Sequence, residues 1–305
     1  MYSYIKTVPD IVGVAPSRIV VVPDVHQDLQ KAKRCLLLAG VVNIRGTWVG
    51  GRTVVVQVGD QVDGAQRVRT AKPARHVCHD DLTRDVAVLT YFNDMHRKAQ
   101  KKGGAVYSLI GNHELMNVMG SFDYANTYGC EACERERRKA FSPGGTAAVL
   151  IATTRVVCLK IGRIVFVHAG IVPRHARAMD ISRLNRVMTE TFLGNQVSNA
   201  DKKYFDNMCL DFDGVLTHRY YMPGAEIPAG EAREALEAVG ADHMVIGHNA
   251  HIGGVTALYD GQLVFVCDPG ISKSVMNAPP TVLEISHRIK SWKPEFSVLI
   301  ESSRT

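Results

Sequence analysis

Short apolar runs that end in a turn residue and then a polar cluster recur along the chain and set its predicted architecture. Arg18 to Val22 is β-branched from its second residue onward, the pattern of a strand covered on both faces. Pro23 stops it, and Asp24, Val25 and His26 follow. Between Asp28 and Ala39, Leu29, Ala32, Leu36 and Leu37 recur at helical spacing, with Gly40 as the stop signal. A second unit repeats the order: Thr53 to Val58 predicts a strand, Gly59 turns it, and Asp60 and Asp63 lie on the loop. Asp81 to Lys102 predicts a long helix packing back on the sheet. Gly103 and Gly104 end it, and Ala105 to Ile110 predicts a central strand running into Gly111, Asn112, His113 and Glu114. A strand ending in glycine bends sharply at its carboxyl end, where α/β proteins place their ligands. Asn112 and His113 are therefore expected over the sheet edge.

Residues 120–145 carry aromatics, a cysteine pair, a charged run and Ser142-Pro143-Gly144-Gly145, and read as an insertion or lid over the site. Thr146 to Ala152 predicts a short helix. Val156 to Leu159 and Ile164 to Val167, split by Gly162-Arg163, predict a hairpin that lifts His168 to the sheet edge. Helix is expected over 180–199 and 233–239, and a strand over Met244 to Ile246 ends at Gly247-His248. The segments 263–266 and 281–285 read as a β-meander closing a second sheet. Repeated β-turn-α units make an α/β fold the economical inference.

Composition narrows this picture. With 305 residues, 46% of them hydrophobic, the chain can bury a full core, and no composition break divides it, so residues 1–305 read as a single domain. The net charge of +6 is spread along the chain, and its densest basic cluster, Glu134 to Lys139, is interleaved with acids and reads as a solvated helical face. Aromatics are only 7%, which argues against a nucleic-acid groove built on stacking. Seven irregularly spaced cysteines do not make a disulfide framework, so a reducing compartment is expected. Cys130 and Cys133 form the only Cys-x-x-Cys; lacking a second pair for zinc, they are either idle thiols or a redox-responsive pair. With no apolar stretch of signal-peptide or membrane-spanning character, a soluble, intracellular, cytoplasmic protein is expected, with no membrane partner. Oligomeric state is not legible.

Asp24, His26, Asp60, Asn112, His168 and His248 each stand just past an apolar run. Singly, each histidine is an ordinary imidazole and each aspartate a turn former. Together they are the donor types that two adjacent divalent ions need, including a carboxylate able to bridge them.

The order and content of these motifs, Asp24/His26, Gly59-Asp60-Gln61-Val62-Asp63, Gly111-Asn112-His113-Glu114, His168-Ala169-Gly170 and His248, resemble those of the metallophosphoesterases and, within them, the phosphoprotein phosphatases. Leu115 to Gly120, Ala140 to Gly145 and Leu216 to Tyr220 are similar to the Shewanella-like protein phosphatase branch. The resemblance implies a four-layer α/β/β/α fold, two mixed β-sheets packed as a sandwich and flanked by helices. It implies two divalent ions, manganese first with iron, zinc or magnesium compatible. Asp24, His26 and Asp60 would hold one, and Asp60, Asn112, His168 and His248 the other, with in-line attack by a dimetal-bound hydroxide. His113, oriented by Asp63, would be the general acid, while Arg219 and Asn112 would bind phosphate. Pro23 replaces the first motif's glycine, and Asn249 the threonine usual after the late histidine. Gly64 stands where the family has a second phosphate-gripping arginine; Arg67, three residues on, either takes that role or is a solvated loop residue. The implied activity is hydrolysis of phosphomonoesters on phosphoproteins, at Ser/Thr and/or Tyr. The alternatives are a nucleotide or dinucleoside-polyphosphate phosphoesterase and a non-catalytic phosphoprotein-binding relative.

Overall fold

The computed structural model describes residues 8–66, 80–127, 130–225, 228–287 and 293–302. Its strands are β1 (Ile11–Val12), β2 (Arg18–Val22), β3 (Val54–Gln57), β4 (Ala105–Leu109), β5 (Arg155–Val156), β6 (Cys158–Ile161), β7 (Ile164–Val167), β8 (His243–Ile246), β9 (Thr256–Leu258), β10 (Val264–Val266), β11 (Thr281–His287) and β12 (Pro294–Ile300). One six-stranded sheet runs β12-β11-β2-β3-β4-β5 and the other β1-β6-β7-β8-β10-β9. Both are mixed: β2, β3, β4 and β5 are parallel, as are β7, β8 and β10, and β1 with β6, while β11 runs antiparallel to β12 and β2, β9 to β10, and β6 to β7.

The near-unbroken apolar runs are explained by what covers them. Side chains alternate between strand faces. Ile19 and Val21 of β2, Val54 and Val56 of β3, Ile164 and Phe166 of β7, Val245 of β8 and Phe265 of β10 all enter one core between the sheets. The intervening Val20, Val22 and Val55 face α1 (Leu29–Leu38) and α2 (Asp81–Gln100) on the outside of the first sheet. Val165, Val167, Met244, Ile246, Val264 and Val266 face a helical layer outside the second. That layer includes, in chain order, α3 (Asn112–Val118), α4 (Glu131–Phe141), α5 (Thr146–Thr154), the single turn α6 (Pro173–Ala176) and α7 (Ile181–Leu193). The arrangement is the expected helix/sheet/sheet/helix stack.

Three expectations change. The C-terminal segments are not one meander, because β10 pairs with β8 in the second sheet whereas β11 pairs with β2 in the first. The hairpin is Cys158–Ile161 with Ile164–Val167; Arg155 and Val156 pair instead with β4, so the chain changes sheets at Val157. Residues 120–145 contain α4, whose Cys133, Arg137, Ala140 and Phe141 are buried. Glu134 to Lys139 is therefore not wholly a solvated face: Arg137 is 0% exposed. Cys130, at the start of α4, is disulfide-bonded to Cys133, with Cα atoms 5.4 Å apart. Cys35, Cys158, Cys209 and Cys267 are free and buried. No helix among the described residues is long and apolar enough to cross a membrane.

Candidate active site

The carboxyl ends of β2, β3, β4, β7 and β8 deliver Asp24, Asp60, Asn112, His168 and His248 to one edge of the sandwich. The turns that carry them are tight. His26, Gln27, Asp60, Asp63 and His248 all have positive φ, between 38° and 68°, a region that non-glycine residues adopt only when their surroundings hold them there. Glu114 is a main holder. Its carboxylate accepts from Gly111 N (2.7 Å) at the start of α3 and from the backbone N–H groups of Asp60 (3.0 Å), Gln61 (2.7 Å) and Val62 (3.2 Å), tying the β3 and β4 loops together. Gly111 is needed for that approach, since a Cβ there would lie 2.1 Å from Asp60 Oδ1.

Asp60 is the centre of the site. Its Oδ2 lies 3.2 Å from His168 Nε2 and 3.8 Å from both His26 Nε2 and His113 Nε2. Burial alone would raise its carboxyl, but His168 and His113 hold it well below the usual carboxylate range. His168 Nδ1 donates to Val58 O (2.8 Å), which turns Nε2 toward Asp60 and toward Asn112 Oδ1 at 3.1 Å. His26 Nδ1 donates to Val62 O (3.4 Å), leaving Nε2 on the Asp60 side. Two ring lone pairs thus converge on oxygens that can only accept, a donor set that calls for a cation. His248 donates its Nε2 to Thr217 O (2.9 Å) and its backbone N–H to Asp24 Oδ2 (2.9 Å). Asp24 Oδ1 is buried without a hydrogen-bond partner. Burial, then Asp268 and Asp60, push the Asp24 carboxyl well up, as expected where a positive charge belongs. Among the described residues, two triads have ligand atoms close enough to share an ion: His26, Asp60 and His113, and Asp60, His168 and His248. Both contain Asp60. Asp24 lies outside them, and His113 occupies the place expected of it.

His113 pairs with Asp63 as expected, Nδ1 to Oδ2 at 2.7 Å. Burial would raise Asp63, but the His113 hydrogen bond and the Arg137 charge hold it low. Arg219, exposed at the rim, donates to His248 O and to Asn249 Oδ1, both at 3.1 Å. Asn249 thus orients the arginine. Arg67 falls outside the described residues. Gly64 has a packing reason: a Cβ there would lie 2.4 Å from Gln27 Oε1 and 2.9 Å from Gln27 Cβ, and Gln27 Nε2 bonds both Asp81 and Asp85 at 3.0 Å.

Sequence reading missed Glu114 as a brace, the buried Asp268 beside Asp24, and the network of Arg137, Asn117, Asp81 and Asp85 behind Asp63. A signal for Arg137 existed, since it stands on the same helical stripe as Cys133, Ala140 and Phe141.

The two packed sheets, with a histidine and carboxylate cluster at their shared edge, define a hydrolase of the metallophosphoesterase class. The chain belongs to the calcineurin-like phosphoesterase family, whose family model matches residues 17–251. It is 24% identical over 318 residues to Shewanella-like protein phosphatase 2 of Arabidopsis thaliana, covering 88% of this chain and 75% of that one. Its identity to Shewanella-like protein phosphatase 1 of Plasmodium berghei is 25% over 296 residues, 90% and 73% of the two chains. Among solved structures it resembles the cold-active protein-tyrosine phosphatase of a psychrophilic Shewanella species, with a TM-score of 0.74 at 19% identity, covering 92% of this chain and 78% of that one. At that identity the likeness concerns the fold.

Proposed function

We propose that this chain is a metal-dependent phosphatase that hydrolyses phosphomonoesters on proteins. The observation that carries the reading is Asp60, held in a left-handed turn and faced by three imidazoles within 3.8 Å. The relatives named protein phosphatases in Arabidopsis and Plasmodium support a phosphoprotein substrate over a dinucleotide.

In this reading Asp24, His26 and Asp60 would hold one divalent ion and Asp60, Asn112, His168 and His248 the other. Mixed oxygen and imidazole donors suit manganese first, with iron, zinc or magnesium as alternatives. When bound, such ions supply Lewis-acid charge and lower the pKa of a coordinated water. Arg219, steadied by His248 O and Asn249, offers a planar fork to phosphate oxygens, and Asn112 and Arg67 are further contacts for the same group. His113, with Nδ1 held by Asp63, keeps Nε2 directed at the site and donates its proton to the leaving oxygen.

The test is turnover of phosphoserine, phosphothreonine and phosphotyrosine peptides against diadenosine tetraphosphate, with manganese and with EDTA. Peptide hydrolysis that EDTA abolishes is expected. Asp60→Asn should lose both turnover and metal measured by atomic emission. Preference for the dinucleotide would overturn the protein substrate, and no turnover of either would favour a binding role.

A further inference from the structure

Behind Asp63 lies a group that the phosphatase reading leaves without a role. Arg137 is 0% exposed, and its guanidinium is surrounded by acceptors. Nη2 donates to Asp63 Oδ1 (2.6 Å), Nε to Asn117 Oδ1 (2.7 Å), and Nη1 to Asp85 Oδ2 (2.6 Å) and Asp81 Oδ2 (3.0 Å). Phe141 lies under it at 4.9 Å and Phe122 at 5.8 Å. Desolvating an arginine is costly, and an apolar side chain of the same volume would often serve stability as well. What an apolar side chain could not do is direct a carboxylate.

The bonds fall where direction matters. Arg137 fills Asp63 Oδ1, while Oδ2 takes His113 Nδ1 (2.7 Å) and Asn117 Nδ2 (2.9 Å). Asn117 is itself oriented by Arg137 and also donates to His113 O at 2.8 Å. Asp63 sits at φ 68° and its backbone N–H donates to Asp85 Oδ1 (2.9 Å), so Asp85, which Arg137 also grips, holds the strained turn. Among the described residues, the bonds that set the plane of the Asp63 carboxylate, apart from the one to His113, therefore lead back to Arg137.

We propose that Arg137 is a positioning residue for proton transfer: from α4 it clamps the Asp63 carboxylate, and through it keeps the His113 ring in one orientation toward the site. The inference rests on the reading of His113 as proton donor. The hydrogen bonds of Arg137 go to Asp63, Asn117, Asp81 and Asp85 and not to the residues proposed to hold the metals, so its loss should spare metal binding. Segment 131–141 is then a wall of the site and not only its cover.

The experiment uses the metal-loaded full chain with Arg137→Lys, which keeps the charge but cannot span Asp63, Asn117 and Asp85 together. On a phosphoserine peptide, kcat should fall by roughly 10²-fold, the scale of general acid catalysis, with KM and metal content unchanged. On p-nitrophenyl phosphate, whose leaving group needs little protonation, the loss should stay below about 10-fold. In a His113→Asn background, Arg137→Lys should cost nothing further. Independently of turnover, the downfield proton resonance of the Asp63-bound imidazole, assigned by its absence in His113→Asn, should shift or broaden in Arg137→Lys. Should that variant fail to fold, Asp81→Asn, Asp85→Asn, Arg137→Met removes the fork with less uncompensated buried charge and is read the same way. Equal losses on both substrates, additivity with His113→Asn, or an unchanged imidazole resonance would each overturn the clamp. A wild-type chain inactive on every phosphoester would instead overturn the phosphatase reading, leaving the resonance to decide whether Arg137 holds the pair.

Discussion

His113 has two faces, one set by Asp63 at 2.7 Å and one aimed at Asp60 3.8 Å away. If it is the acid, His113→Asn should lower kcat on phosphoserine peptides by about 10²–10⁴-fold. The loss on p-nitrophenyl phosphate should be clearly smaller; parallel losses in steady-state kinetics would assign the ring another role. Gly64 gives the opposite kind of prediction. It looks like the loss of a recognition arginine when only motifs are compared, yet its missing Cβ is what lets Gln27 pass between the loop and α2. Gly64→Ala should therefore destabilise by about 1–3 kcal/mol, the usual cost of overpacking, seen as a lower urea midpoint. Unchanged stability would mean that Gln27 can move aside freely. The ligand types were legible one residue at a time because each follows an apolar run. Glu114 was not, because its role lies in bonds to Asp60, Gln61 and Val62, some fifty positions away in the chain.

At the scale of elements, α2 and α4 meet through buried charges. Burial, with Asp81 and Asp63 beside it, pushes the Asp85 carboxyl up to about 7 even though Arg137 pulls it down. Since that value lies above the ordinary 3.8, the folded chain keeps this proton to higher pH than the unfolded chain. The associated stability is present at low pH and is lost as pH rises through about 7. Urea unfolding in EDTA should show this as a falling stability from pH 5 to 7, with Asp85 contributing at most about 1.4 kcal/mol per pH unit. Asp85→Asn forfeits an Arg137 contact and starts lower, but its slope should be shallower; an identical slope would place the titration elsewhere. Most element positions were readable: Arg18–Val22 and Asp81–Gln100 begin where the apolar pattern predicts. At Glu131–Phe141 the helical face was legible but its burial was not, because half of the buried stripe is carried by a cysteine and an arginine, residue types that periodicity counts as weak or polar.

Over the whole molecule, the two sheets hold the site by packing face to face, and Phe166 sits fully buried in the core between them. Its immediate neighbour Val167 leads into His168. Phe166→Ala should cost about 3–5 kcal/mol in urea unfolding and should weaken metal binding as well, because it loosens the sheet that carries His168 and His248 against the one that carries Asp24 and Asp60. Full metal content at half that cost would show that the loops alone define the site. The chain's own order of residues determined which positions could be strands, where each strand ends, and that acid, amide and imidazole groups wait at those ends, since these are local consequences of periodicity and turn chemistry. Which sheet each strand joins was decided by tertiary structure alone: 155–156 and 158–161 differ little in pattern but lie in different layers, as do 264–266 and 281–287. The same holds for the convergence of His26, His113 and His168 on Asp60 and for the burial of Arg137, because a long-range contact depends on the stacking of the two sheets and on what each side chain then meets.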